Sequence, residues 1–90
     1  MTTAAFERMV LAELRRAGAT GPEDAPAGTR RLSRPEIRFR ASPDGKLAEF
    51  RRTGWPVLVL SSRLTLRALE RVRKGAGAES VWRSLGTACE

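Results

Sequence analysis

Apolar residues recur at helical spacing in the first part of the chain. Phe6, Met9, Val10 and Leu14 share one side of a helix predicted over Thr3 to Ala17, with Leu11 on its flank. Glu7, Arg8, Glu13, Arg15 and Arg16 lie mostly outside that stripe. Thr2 or Thr3 can cap the start, and Gly18 suits the left-handed residue that ends a helix. From Ala19 to Ser33 the periodicity stops. Gly21, Pro22, Pro26 and Gly28 stand there among small and polar residues, a composition that buries too little apolar surface to offset its ordering entropy. Residues 19–33 therefore read as a flexible surface loop.

Strict alternation follows from Pro35 to Ala41. Ile37 and Phe39 face one way and Glu36, Arg38 and Arg40 the other, as a half-buried strand requires. Residues 43–53 support two readings. As a helix, Ser42 is the N-cap, Pro43 the first helical residue, Asp44 sits at the positive dipole end and Gly54 is the stop. As a hairpin, Pro43-Asp44-Gly45 is a turn, and Lys46 to Arg52 pairs back with Ala48 and Phe50 inward. The helix is preferred, because Leu47, Ala48, Glu49 and the two arginines form helices better than strands.

Val57 to Leu60 is an unbroken apolar run that reads as a buried strand, introduced by Trp55 and Pro56. Ser62 can then cap a helix reaching Arg73, with Leu64, Ala68, Leu69 and Val72 inward and Leu66 nearby. Gly75 and Gly77 break it, and a short last helix, Glu79 to Leu85, offers Val81, Trp82 and Leu85 before Gly86. The expected fold is α+β. A small two- or three-stranded sheet, containing at least 36–40 and 57–61, packs against an N-terminal helix and one or two C-terminal helices.

Ninety residues suffice for one domain with a thin core, one that could well dimerise. The longest apolar stretch, Trp55 to Leu60, is far short of the roughly 20 residues of a spanning helix, and no signal-peptide pattern opens the chain, so a cytoplasmic location is expected. The single cysteine, Cys89, cannot form an intramolecular disulfide and reads as an incidental thiol near the C-terminus. Histidine is absent, which rules out Ser-His-Asp and Cys-His catalysis and removes the commonest zinc ligands. No metal or cofactor is expected. A catalyst would have only carboxylates and arginines to work with, Glu36, Asp44 and Glu49 first among them.

Charge is the informative part of the composition. Seventeen basic residues, fifteen of them arginine, stand against ten acidic ones, a net charge of +7. Residues 30–74 alone carry a net of +9, against −2 for the remainder. Such a balance draws a protein towards polyanions, and arginine's planar fork suits phosphate and carboxylate, although a GC-rich genome also enriches arginine. On the helix after the apolar strand, Arg63, Arg67, Arg71 and Lys74 follow spacings of four, four and three, a basic ridge opposite the apolar stripe. A ridge of this kind can track phosphates, although a solvated helix face has the same pattern. Arg38 and Arg40 could join it if the strand's outer face and that helix share a side.

Aromatic residues are too few and too inward to support base stacking. Gly75 to Val81 could be the turn of a helix-turn-helix, but a second helix of two turns with Arg83 as its one base-edge donor reads better as a plain helical hairpin. With 43–53 helical, the run from Ile37-Arg38-Phe39-Arg40-Ala41 through Gly54 to Val57-Leu58-Val59-Leu60 resembles, in order of elements only, the C-terminal half of restriction-endonuclease-like nucleases of the VRR type. That resemblance implies an acidic pair and a Glu-x-Lys on the strand, where this chain has Arg38 and Arg40.

Two functions remain. The leading expectation is a non-enzymatic binding protein that engages nucleic acid through phosphates with little sequence preference, using Arg63, Arg67, Arg71 and Lys74, with Arg38 and Arg40 in addition. The competing one is an inhibitor or adaptor of the kind made by phages and mobile elements, anti-CRISPR proteins included, whose basic face meets an acidic protein surface or a nucleoprotein complex.

Overall fold

The computed structural model describes residues 2–19 and 37–89. Along the chain run α1 (Thr3–Arg16), β1 (Arg38–Ala41), β2 (Leu47–Arg51), β3 (Leu58–Ser61), α2 (Ser62–Glu70) and α3 (Ala78–Cys89). The strands form one antiparallel sheet in the order β1-β2-β3, and the helices cover one of its faces. This is the small α+β fold expected. Among the described residues no helix is long and apolar enough to cross a membrane. The loop expected at 19–33 lies outside the described residues except for Ala19, which is buried.

The core is where the two layers meet. Phe6, Val10 and Leu14 of α1 are buried against Ala48 and Phe50 of β2, Leu60 of β3, Ala68 and Leu69 of α2, and Val81, Trp82 and Leu85 of α3. Phe39 joins the sheet to α1, with its ring 5.9 Å from Phe6 in an edge-to-face contact and 5.3 Å from Phe50. Thr2 caps α1 by accepting from the Ala5 amide, and Gly18 (φ 75°) ends the run, as its sequence position suggested.

The preferred helix over 43–53 is overturned: this segment is the hairpin. Gly45 has φ 72°, outside the helical region, and the turn closes on Asp44. Its Oδ1 accepts from the Ser42 hydroxyl at 2.6 Å and from the Lys46 amide at 3.0 Å, while the Ser42 oxygen accepts from the Leu47 amide at 3.0 Å. Helix propensity, worth tenths of a kilocalorie per residue, loses to full burial of Ala48 and Phe50 in the central strand. The likeness to VRR-type nucleases, which required a helix here, goes with it.

Five further expectations change. The run Val57–Leu60 is not buried on both sides, because β3 is an edge strand with one face open: Leu60 is buried, whereas Val57 and Val59 are exposed. Ser61, not Ser62, caps α2 by accepting from the Leu64 amide, and Ser62 donates instead to the Gly45 carbonyl. That helix ends at Glu70 rather than Arg73, and Thr65, donating to the Ser61 carbonyl at 2.9 Å, takes the inward place expected of Leu64. The last helix runs through Gly86 to Cys89, since Gly86 keeps a negative φ and the burial of Val81, Trp82 and Leu85 holds the turns on either side of it.

The helices are joined where α2 stops. The Arg16 guanidinium donates to the carbonyls of Leu69 (3.1 Å) and Val72 (2.8 Å) while paired to Glu13 at 2.7 Å. Gly75 and Gly77 donate their amides to the carbonyls of Arg16 and Ala17 at 2.9 and 2.7 Å, so the 71–77 connection lies along the end of α1.

Three outcomes follow for stability. Replacing Arg16 by Ala removes its bonds to two carbonyls, of which Leu69 keeps the Val72 amide, and is expected to cost about 1–2 kcal/mol in urea unfolding. Gly45→Ala is expected to cost about 1–2 kcal/mol in the same assay, because the left-handed φ penalises a side chain and the new Cβ would stand 2.9 Å from Thr3 Oγ1. The Ser42 hydroxyl, followed by the Lys46 amide, holds the Asp44 carboxyl below its ordinary pKa. A lowered folded pKa contributes stability above the unfolded aspartate's pKa, about 4, and that contribution is lost as pH falls through the folded value. The wild-type advantage over Asp44→Asn should therefore shrink on titration from about pH 6 to about pH 3, as read from unfolding midpoints.

Candidate functional site

Between α2 and α3 lies an open groove of about 400 Å³ lined by Leu64, Arg67, Ala68, Arg71, Ser80, Arg83, Ser84, Thr87 and Ala88. It exists because α2 presents Ala68 to its neighbour, and a small residue there lets the two helices approach. The Ser84 hydroxyl donates across the gap to the Ala68 carbonyl at 2.7 Å, which fixes the spacing. Three arginines rim the groove, two from α2 and its C-cap and one from α3, and no carboxylate is among the lining residues.

The arginines are free to act on a ligand. Arg67 and Arg71 are exposed, and their side chains make no hydrogen bond or ion pair among the described residues. Arg83 has only a long contact of 4.0 Å with Glu79, because that carboxylate is engaged elsewhere: its other oxygen accepts from Arg52 at 3.0 Å. Arg52 also lies 5.5 Å over the ring of Trp55, whose edge meets Trp82 at 6.3 Å, so the turn between β2 and β3 is fastened to the start of α3. The hydroxyls are less available. Ser84 and Thr87 donate to the carbonyls of Ala68 and Arg83, and only Ser80, at 3.4 Å from the Ala76 carbonyl, is loosely held. The donors facing the groove are thus chiefly guanidinium groups, which match phosphate or carboxylate oxygens in pairs.

The ridge expected from sequence is realised in part. Arg67 and Arg71 line the groove, and Arg63 is exposed one turn earlier on the same helix. Lys74 falls beyond the end of α2, in the turn towards α3, so helical spacing no longer aligns it with the others. Arg38 and Arg40 do not join the ridge. They project from the open face of the sheet, whereas α2 packs on the opposite face through Ala68 and Leu69. In the sequence Arg83 stands only as the one base-edge donor of a short last helix and is not placed with the ridge; the packing of α3 beside α2 is what brings it to the groove.

Two of the three carboxylates named for a catalyst fall among the described residues. Asp44 belongs to the hairpin turn, Glu49 accepts from Arg51 at 2.6 Å, and Glu36 lies outside the described residues. Cys89 is exposed at the end of α3. No family model, no curated protein and no solved structure matches this chain.

Proposed function

We propose that the protein binds nucleic acid through the α2–α3 face, with Arg67, Arg71 and Arg83 as phosphate contacts and Arg63 extending the row. The observation that carries this reading is the groove: guanidinium groups from two helices converge on one surface free of lining carboxylates. A rigid helical pair places them with little ordering cost beyond their own rotamers. Phosphate oxygens accept paired N–H bonds from such forks, and the contacts carry no sequence information by themselves. Weak sequence preference and a strong dependence on salt are the consequences.

A salt series with a labelled DNA duplex and an RNA tests it, comparing wild type with Arg67→Gln/Arg71→Gln/Arg83→Gln. Affinity should fall steeply as salt rises, and the triple variant should weaken binding to all sequences and reduce the log–log salt slope by roughly 2–3. Binding of equal strength and slope in the variant would overturn the assignment.

A further inference from the structure

The open face of the sheet carries a second cationic cluster of a different make-up. Alternation along the strands puts Arg38, Arg40, Leu47, Glu49, Arg51 and Val59 on this face. The register sets Arg38 opposite Arg51 and Arg40 opposite Glu49, with Glu49 also opposite Val59. One corner is therefore cationic. The β3 edge and the far end of β2 are apolar: Val59, opposite Glu49, is 51% exposed, Val57, which the register carried one residue past β3 sets beside Arg51, is 44% exposed, and Leu47 is 47% exposed.

The arginine pair and the apolar edge are both unfavourable in the free protein. Like charges directly opposite on neighbouring strands repel, and Arg38 faces Arg51 in that way. Arg51 is bonded to Glu49 at 2.6 Å, whereas the side chains of Arg38 and Arg40 have no hydrogen bond or ion pair among the described residues. Aliphatic side chains left open beside the guanidinium groups add apolar surface in contact with water.

We infer that this face docks an acidic, apolar-bearing segment of a partner protein, with carboxylates meeting Arg38 and Arg40 and aliphatic side chains covering Leu47, Val57 and Val59. Charge complementarity selects this occupant. A polynucleotide would meet Glu49 at the centre of the face and gain little from the apolar edge. A second copy would bring a like arginine corner, with a single carboxylate already bonded to Arg51. The inference is independent of the groove between α2 and α3, which lies across the sheet.

The test is a titration of the intact, isotopically labelled protein with a short synthetic peptide alternating Glu with Leu and Val. A matched peptide with Lys for Glu and a single-stranded oligonucleotide serve as comparisons. The acidic peptide should saturably shift the amides of 38–41, 47–51 and 58–61, and the Lys peptide should not. Arg38→Gln/Arg40→Gln and Val59→Ser, all at exposed positions, should each weaken binding about tenfold while leaving the remaining amide signals in place. The groove variant Arg67→Gln/Arg71→Gln/Arg83→Gln should bind the peptide as wild type does, which separates failure of this site from failure of the groove. The proposal is overturned if the acidic peptide shifts none of these amides, if the sheet variants bind it unchanged, or if the oligonucleotide shifts the same amides more strongly. Self-association of the free protein that is abolished by Val59→Ser would assign the face to a second copy instead, and would equally overturn it.

Discussion

A helix that stops inside a protein leaves its last carbonyls without intrahelical partners, and α2 stops against the rest of the fold. Two side chains from other helices answer that need. Arg16 of α1 donates to Leu69 and Val72, and Ser84 of α3 donates to Ala68. The end of α2 is thereby the point at which all three helices are set relative to one another. The amides of Gly75 and Gly77 bond back to the end of α1, so the connection that launches α3 is placed from the same junction. The groove walls, and with them Arg67, Arg71 and Arg83, take their positions from this arrangement.

The two-layer architecture decides what the positive charge can do. Helices cover one face of the sheet, so the arginines of α2 and α3 and those of β1 and β2 lie on opposite sides of a thin core. Among the described residues, these arginines do not merge into one polyanion track. Arg67, Arg71 and Arg83 line a helical groove with no carboxylate, whereas Arg38, Arg40 and Arg51 stand on a sheet face with Glu49 and exposed aliphatics. Two surfaces with different chemistry favour different ligands, which is the basis for proposing nucleic acid for one and an acidic protein segment for the other.

Local and tertiary preferences conflict most plainly in the hairpin. Residues 46–52 carry good helix formers, and Ser42, Pro43 and Asp44 could open a helix. The same three residues also make a tight turn, and Gly45 tips the balance by taking a left-handed φ. Pairing on both sides and the cluster of Phe6, Phe39 and Phe50 then stabilise β2 by more than helix propensity could contribute to an isolated segment. Arg52 and Trp55 extend the sheet's hold to α3, through Glu79 and Trp82.

Periodicity by itself determined much of this protein: α1 with its cap and its glycine stop, the first strand with arginines outward, the location of the second helix, and the α+β class. These depend on side-chain spacing within one element, which the linear order of residues records. It also located Arg67 and Arg71 on one side of a helix. Tertiary structure alone decided the conformation of 46–52, the exposure of β3, the early end of α2 and the passage of α3 through Gly86. It decided as well that Arg83 joins the groove while Arg38 and Arg40 do not. Each of those outcomes depends on what a neighbouring element buries or caps, a contact between residues far apart in the chain that no local pattern encodes.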